Sequence, residues 1–249
     1  MNRNIYIYGY GNLGWHLEKL FLSQNISIGG IFSSKAHSSN SLIDPNRLSE
    51  NINAQDFVFI SVNDDNVIDV ADAVSSLGGV PVVCSGSIPL NALKTSNSLA
   101  FYPLYSFTKS VEVNWHLFPV FVESSNDELL NEFIVELNLD TLNLVHCKPG
   151  DRSILHLAGV FINNFTNSCA AGAMNILEAN ELPFNYLFPI LQQTINKIID
   201  SKNPKIVQTG PAQRNDLNTL SKHMDILESF PSEQAVYLAI TKYIQQNKS

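Results

Sequence analysis

A glycine motif near the start of the chain has the residue types and spacing that bind a diphosphate. The motif, G-x-G-x-x-G beginning at Gly9, lies between a strand-like run over 4–8 and a helix-like segment over 15–22. The first glycine would make a tight turn, the second would admit the diphosphate, and the third would let helix and strand pack closely. N–H groups at the helix start would bind the phosphates. The predicted phosphate-binding residues are Gly9, Gly11, Asn12, Leu13 and Gly14.

The segment after the second predicted strand bears on which dinucleotide binds. NAD sites usually place an Asp or Glu about 20 residues past the glycines, where it accepts the ribose 2′-hydroxyl. Here that region contains Ser33, Ser34 and Lys35, and no acid occurs before Asp44. Two hydroxyls and a cation suit a 2′-phosphate, so we predict NADP in preference to NAD. An ordinary polar loop would have the same composition.

Two further strand ends are expected beside the ribose and the nicotinamide. In an open α/β sheet the ligand lies across the carboxyl ends of the parallel strands. Apolar runs over 57–62 and 80–84 have the composition of buried parallel strands. We therefore add the residues at their ends to the predicted cofactor site, namely Val62, Asn63, Ser85 and Gly86.

A polar stripe on the first long helix after residue 148 offers groups for proton transfer. Counted at about 100° per residue, His156 and Asn163 lie opposite an apolar face, with Asn164 at the flank. Imidazole exchanges protons with a carbonyl or imine, and a carboxamide orients the same group. We predict His156 as the acid–base group, Asn164 as its orienting partner and Asn163 as a substrate contact, in a cleft between the domains. A core or interface histidine with water-facing asparagines would show the same pattern.

The segment over 210–216 offers a cation for substrate binding. Gly and Pro residues predict a loop there, and Asp216 is placed to cap the helix that follows. Arg214 would project from the loop with a planar donor fork that suits a carboxylate or phosphate. We predict Arg214 as a substrate anchor, with a surface ion pair as the alternative. His223, further along the predicted helix, is interpreted as structural.

The elements that must position these residues fall into two regions. Strand and helix patterns alternate up to residue 147, which predicts a doubly wound α/β sheet, and only helical periodicity follows. We predict a Rossmann domain over 1–147 and an all-helical substrate and dimerisation domain over 148–249. The predicted strands after the first cover 26–32, 57–62, 80–84, 99–102, 119–122 and 142–145. The predicted helices of the second region cover 153–178, 188–199, 217–230 and 232–246.

Composition and charge exclude several classes of partner. The chain of 249 residues has a net charge of −8 and no cluster of Lys or Arg, so neither nucleic acid nor an anionic membrane is an expected partner. No apolar run is long enough to span a bilayer. The first strand begins too close to Met1 for a signal peptide. Three separated cysteines predict no zinc site and fit small core residues in a reducing cytoplasm.

Motifs spread in order over nearly the whole chain resemble those of a known family. Together they resemble Rossmann-like proteins with a C-terminal helical domain of unknown function, relatives of deazaflavin-dependent NADP oxidoreductases, pyrroline-5-carboxylate reductases and 6-phosphogluconate dehydrogenases. The resemblance implies an all-α domain of the 6-phosphogluconate dehydrogenase C-terminal type. Where this family tends to show His before Pro-Leu, the chain has Tyr102, which would take that residue's place at the substrate. The matching motifs are Gly9 to Gly14, Ser85-Gly86, Phe101-Tyr102-Pro103-Leu104 with Phe107, His156-Leu157-Ala158 with Asn164, and Gly210 to Asp216 with His223.

These features predict an oxidoreductase that moves hydride between NADP and a C=O or C=N group of a small molecule. Small residues over 170–173 would let a helix of a second subunit approach, so we expect a homodimer through the helical domain. A catalytically inactive nucleotide-binding sensor or scaffold is the main alternative. A flavin or an adenosyl cofactor on the same glycine turn is another.

Overall fold

The structure is a computed structural model that describes residues 3–34 and 42–247. The chain divides into two compact units, Met1–Asn163 and Asn164–Ser249. The predicted boundary at residues 147 and 148 lies between the last described strand and the helix that begins at Asp151. The described strands are β1 (Ile5–Tyr8), β2 (Ile28–Phe32), β3 (Leu42–Ile43), β4 (Phe57–Ile60), β5 (Val80–Val83), β6 (Leu99–Pro103), β7 (Val120–Ser124) and β8 (Leu144–His146).

These strands form one eight-stranded sheet in the order β3-β2-β1-β4-β5-β6-β7-β8. The first six positions follow the order of a doubly wound dinucleotide-binding fold, so the predicted α/β class is confirmed. Two details differ from the prediction. The strand β3 has two residues and is too short to show a period, and β6 pairs with β7 in an antiparallel manner.

In the first unit, helix α1 (Asn12–Ser23) packs against this sheet through an apolar face. Its buried Leu17, Leu20 and Phe21 share one face of the helix, and every residue of β4 is buried. Burial on both faces explains why β4 is a continuous apolar run. The described helices of this unit are α1 (Asn12–Ser23), α2 (Leu48–Asn51), α3 (Asp64–Ser76), α4 (Asp127–Glu136) and α5 (Asp151–Val160).

The long helix predicted over 153–178 is interrupted. Helix α5 ends at Val160, a π-helical segment covers Phe161–Phe165, and the next α-helix starts at Thr166. A π-helix closes i→i+5 hydrogen bonds, so its side chains advance around the axis by a smaller angle per residue than in an α-helix. A helical wheel drawn at α-helical spacing therefore does not describe this segment, and the prediction of one continuous α-helix over 153–178 was wrong. The predicted roles of His156, Asn163 and Asn164 stay predictions.

The secondary-structure elements described in the second unit are all helices. The side chain of Asp216 accepts a hydrogen bond from the Thr219 N–H at 3.1 Å, as the predicted helix cap requires. His223 Nδ1 lies 2.8 Å from the Tyr237 hydroxyl. Among the helices of the described residues, none is long and apolar enough to cross a membrane. The described helices of this unit are α6 (Thr166–Glu178), α7 (Phe188–Ser201), α8 (Pro211–Arg214), α9 (Leu217–Leu227) and α10 (Pro231–Gln246).

The cysteines occupy three different environments. Cys84 is buried, as a small core residue should be, and Cys147 is half-buried. Cys169 is exposed, so the interpretation as a core residue does not hold for it in the single chain. Within residues 3–34 and 42–247, no group of His, Cys, Asp and Glu side chains could hold a metal ion.

Candidate functional site

The glycine turn between β1 and α1 has the tight geometry that its first and third glycines predict. Gly9 has a φ of +99°, and a Cβ on it would lie 2.6 Å from the Ser61 carbonyl oxygen. A Cβ on Gly14 would lie 2.1 Å from the Gly9 carbonyl oxygen. Any larger residue at either position would displace backbone, because these contacts are far below van der Waals distance. Both glycines are therefore required for the turn itself.

Gly11 differs from the other two glycines because the space beside it is open. A Cβ on Gly11 would meet no atom within 4 Å. The N–H groups of the next residues, Asn12 to Gly14, belong to the first turn of α1, where an α-helix leaves its donors without intrahelical acceptors. This turn has no acidic residue, whereas α3 and α4 each begin with two. The open space beside Gly11, the N–H groups of the first helical turn and the lack of an acidic residue there fit a bound anion.

A lysine and a serine distant in sequence hold this turn in place. Lys109 Nζ donates to the Tyr10 carbonyl at 2.9 Å and lies 4.9 Å from the Tyr10 ring centre. Ser61 Oγ donates to the Gly9 carbonyl at 2.8 Å. No local pattern signals these roles, because Lys109 and Tyr10 lie 99 residues apart. Lys109 also places a positive charge beside the predicted phosphate site.

Two of the residues predicted to select NADP, Ser33 and Ser34, follow the end of β2. Ser33 is half-buried and Ser34 exposed, and Lys35 lies outside the described residues. Pairing of Phe32 with Ile43 places Ser33 and Asp44 just after neighbouring strand ends. The first acid after β2, Asp44, is thus near Ser33 in space, which its sequence position does not show.

Val62 and Asn63 follow the carboxyl end of β4, as predicted. Val62 is half-buried, and its Cγ1 would lie 2.9 Å from a Cβ on Gly9, so it borders the glycine turn. Asn63 is exposed and stands at the start of α3, but its side chain makes no capping hydrogen bond. Helix α3 begins at Asp64, the next residue.

The turn after β5 is fixed by a buried arginine that the sequence analysis missed. Arg152 is 2% exposed, and its Nε lies 2.7 Å from Oε2 of the equally buried Glu123. Its other two nitrogens donate to the carbonyls of Ser85 and Ile88. Arg152 thus ties helix α5 and strand β7 to this turn. The local signal is a glutamate that directly follows three apolar residues in strand β7.

A carboxylate holds the same turn from another side. Asp64, the first residue of α3, accepts hydrogen bonds from the Ser85 hydroxyl at 2.7 Å and from the Ser87 hydroxyl. The backbone N–H of Ser87 donates to Ser85 Oγ at 3.1 Å. The hydroxyl of Ser85 therefore serves the geometry of the turn.

Gly86 brings Tyr102 and His156 together. A Cβ on Gly86 would lie 2.7 Å from Tyr102 Cζ, 2.9 Å from its hydroxyl and 2.8 Å from His156 Cβ. The Tyr102 hydroxyl and His156 Nδ1 are 3.1 Å apart, within hydrogen-bonding distance. Helix α5 supplies His156 one turn after Arg152, so the buried arginine also anchors the helix that presents the imidazole. The first unit thus joins Gly86, Tyr102 and His156 at one strand end.

The phenol of Tyr102 is protonated at neutral pH. Its side chain is half-buried, and burial raises its pKa above the ordinary value of 10.0, while the nearby Arg152 charge opposes the rise. Burial disfavours the charged phenolate. Tyr102 is therefore a proton donor in its resting form.

The side chains of the other predicted substrate residues are exposed to solvent. Asn163 lies in the π-helical segment at the end of the first unit, and Asn164 begins the second unit. Arg214 is the last residue of the short helix α8, so it projects from a helical turn and not from the loop that the sequence predicted. Their roles stay predictions.

Comparison with known proteins gives the family. Residues 118–244 match the family described as Domain of unknown function (DUF2520). The chain belongs to the DUF2520 family. The predicted relationship to Rossmann-like proteins with a C-terminal helical domain of unknown function is thereby confirmed. No protein of curated function matches the sequence.

Solved structures similar to this DUF2520 protein include reductases. A Bacteroides fragilis protein described as a "putative NADP oxidoreductase" is 28% identical, with 99% of each chain covered and a TM-score of 0.85. An imine reductase of Streptomyces aurantiacus is 13% identical (98% and 94% covered, TM-score 0.70). A pyrroline carboxylate reductase of Plasmodium falciparum with NADP bound is 12% identical (98% of each chain, TM-score 0.56). The last two likenesses show the shared fold alone.

Proposed function

We propose that this protein is an NADP-dependent oxidoreductase that moves hydride to or from a C=O or C=N group of a small molecule. The main support is one observation within the first unit. A glycine turn whose geometry fits a bound anion and a hydrogen-bonded Tyr102–His156 pair lie at carboxyl ends of strands in the same sheet. This is the edge at which open α/β sheets bind their ligands. The names of the similar structures support a nicotinamide cofactor.

Each group of residues has a distinct task in this proposal. Gly11 and the first N–H groups of α1 would hold the diphosphate, and Ser33 and Ser34 would contact the ribose and its 2′-phosphate. The bound cofactor supplies or accepts the hydride. The Tyr102–His156 pair supplies the proton that reduction of a carbonyl or imine requires. Asn163, Asn164 and Arg214 remain proposed contacts of the substrate.

Gly11 allows cofactor binding to be tested separately from folding. With a φ of −71° and open space beside it, Gly11→Ala should leave the melting temperature of the free protein nearly unchanged. The added methyl group would occupy the approach of the diphosphate. We expect NADPH at 100 times its Kd to stabilise the native protein by about 2.7 kcal/mol and the variant much less. Thermal-shift titration with NADPH, NADH, FAD and S-adenosylmethionine measures both.

The matched control is Gly14→Ala, which should destabilise the free protein itself because of the contact with the Gly9 carbonyl. Equal stabilisation of native protein and Gly11→Ala by NADPH would contradict the proposed site. Turnover with imines and 2-ketoacids then separates an enzyme from a sensor, since a sensor binds NADPH without oxidising it. In an enzyme, His156→Ala should lower kcat by about 10²–10⁴-fold.

We also propose that the protein is a homodimer through its helical domain. Among the described residues of the second unit, only Ala212 and Leu227 are buried apolar residues. A helical unit without a core of its own has little hydrophobic stabilisation, so its apolar faces need a partner. A second copy of the chain is the occupant that the small residues Ala170 to Ala173 would fit.

A further inference from the structure

The two members of the Tyr102–His156 pair are unequally placed relative to solvent and to the strand end. Tyr102 is half-buried, whereas His156 is exposed. The hydroxyl of Tyr102 would lie 2.9 Å from a Cβ on Gly86. In His156, the atom that comes this close is the Cβ and not an atom of the ring. The reactive end of the phenol therefore lies at the end of β5, and the imidazole lies on its solvent side.

This asymmetry gives the pair a direction. A proton donor to substrate must be within hydrogen-bonding reach of the reacting atom and shielded from competing water. Tyr102 is the better placed of the two for this task, because it is half-buried and its hydroxyl lies at the strand end where the proposed nicotinamide would lie. His156 is instead open to solvent, and an exposed imidazole exchanges protons with water.

We propose that Tyr102 is the catalytic proton donor and that His156 resupplies it through Nδ1, a division of roles that rests on the proposed reductase function. His156 holds its proton on Nδ1 and donates it to the Tyr102 oxygen, which leaves the phenolic hydrogen free to point at the substrate. As hydride reaches the carbon of a C=N or C=O group, the phenolic O–H bond breaks and a new N–H or O–H bond forms on the substrate. The Nδ1 proton passes to the phenolic oxygen while Nε2 takes a proton from a water molecule, and the hydroxide that remains is released to solvent. Exchange with solvent then restores the first tautomer.

The direction of the hydrogen bond can be measured without cofactor or substrate. In protein labelled with ¹⁵N-histidine, the imidazole nitrogen shifts report which nitrogen bears the proton, and His156→Gln identifies the His156 signals. We expect neutral His156 to be mainly the Nδ1–H tautomer in the native protein and to change to Nε2–H in Tyr102→Phe. The tautomer of an imidazole is set by the hydrogen bond that it makes. An Nε2–H tautomer in the native protein would overturn the proposal, because the phenol would then donate to the imidazole.

Turnover of an imine by the NADPH-loaded enzyme tests the assignment of the donor. Tyr102→Phe should lower kcat by about 10²–10⁴-fold with a small change in KM, and added imidazole should not restore it. His156→Ala should lose activity that imidazole partly restores, since free imidazole can donate the proton of the resupply step. The matched control is Tyr105→Phe, because the exposed Tyr105 stacks on Phe118 away from the pair.

The outcomes separate this proposal from the proposed function. If Tyr102→Phe keeps native kcat while the native enzyme reduces imines, the donor assignment is wrong and the reductase function stands. If the native protein neither binds NADPH nor reduces any imine or ketone, the reductase function is wrong. In that case the His156 tautomer still decides the direction of the hydrogen bond.

Discussion

Tyr102 and His156 meet because Gly86 has no side chain. Each contributes an atom within 3 Å of the place where a Cβ on Gly86 would be. Real Cβ atoms do not approach other atoms so closely, so the contact depends on glycine at this position. At the scale of single residues, the proposed chemistry therefore requires glycine at position 86 as well as the phenol and the imidazole.

Gly86→Ala should separate the pair. The methyl group must displace the phenol or the backbone next to His156, and overpacking of this kind costs about 1–3 kcal/mol. We expect a loss of the Nδ1–H tautomer of His156 and a fall in imine reduction similar to that of Tyr102→Phe. Histidine ¹⁵N shifts and initial rates measure the two effects.

A suitable comparison is Gly159→Ala, in the same helix as His156. Its Cβ would meet only the end of the Leu104 side chain, at 3.3 Å, and alanine favours the helix more than glycine does. This variant should keep the His156 signals of the native protein. If Gly86→Ala also keeps them, the close contact is not what holds the pair together.

At the scale of elements, one ion pair connects β7, α5 and the turn after β5. Arg152 and Glu123 are both almost fully buried, and the arginine satisfies its donors with one carboxylate and two carbonyls. A buried charge pair does not by itself imply a large gain in stability, but loss of one partner leaves the other charged and unpaired. The pair therefore fixes the position of the turn. The free energy of unfolding falls when one partner is removed.

Arg152→Met should destabilise the protein by about 3–5 kcal/mol, because Glu123 would remain as a buried charge without a partner. The double variant Arg152→Met with Glu123→Leu should be less destabilised than the single variant, since both charges are removed together. Urea unfolding followed by circular dichroism measures the differences. Additive losses in the double variant would show that the two side chains do not act as a pair.

At the scale of the whole molecule, the two units differ in how much apolar surface they bury. The first unit has clusters of buried apolar residues around its sheet. The second leaves apolar stripes accessible, for example Leu191, Ile195 and Ile198 on α7, which are 39%, 41% and 37% exposed. Spacing of four and three residues places these side chains on one face of the helix. A contiguous apolar face of this kind is typical of a protein–protein interface.

Ile195→Glu should weaken the proposed homodimer, because a carboxylate would enter an apolar interface. We expect a dimer for the native protein and a larger monomer fraction for the variant in size-exclusion chromatography with light scattering. Gln193→Glu adds the same charge on another side of α7 and should leave the dimer intact. A native protein that stays monomeric at high concentration would contradict the proposal.

The sequence by itself determined the features that depend on local patterns. The glycine motif, the continuous apolar strands and the capping residue Asp216 each follow from neighbouring residues, and they predicted the sheet, its cofactor edge and a helix start. A short strand such as β3 and the π-helical segment were missed, because neither leaves a periodic pattern of its own. The sequence indicated His156 and Tyr102 separately as candidate site residues, but no local pattern indicated that their side chains meet.

The tertiary structure alone decided which residues meet. Tyr102 and His156 lie 54 residues apart, and Arg152 and Glu123 lie 29 apart. No periodicity links such pairs, since their contact depends on strand order, on the register of β6 and on the direction of α5. Side chains that are distant in sequence become neighbours only when the sheet is assembled and the burial of its apolar faces fixes the helix against it.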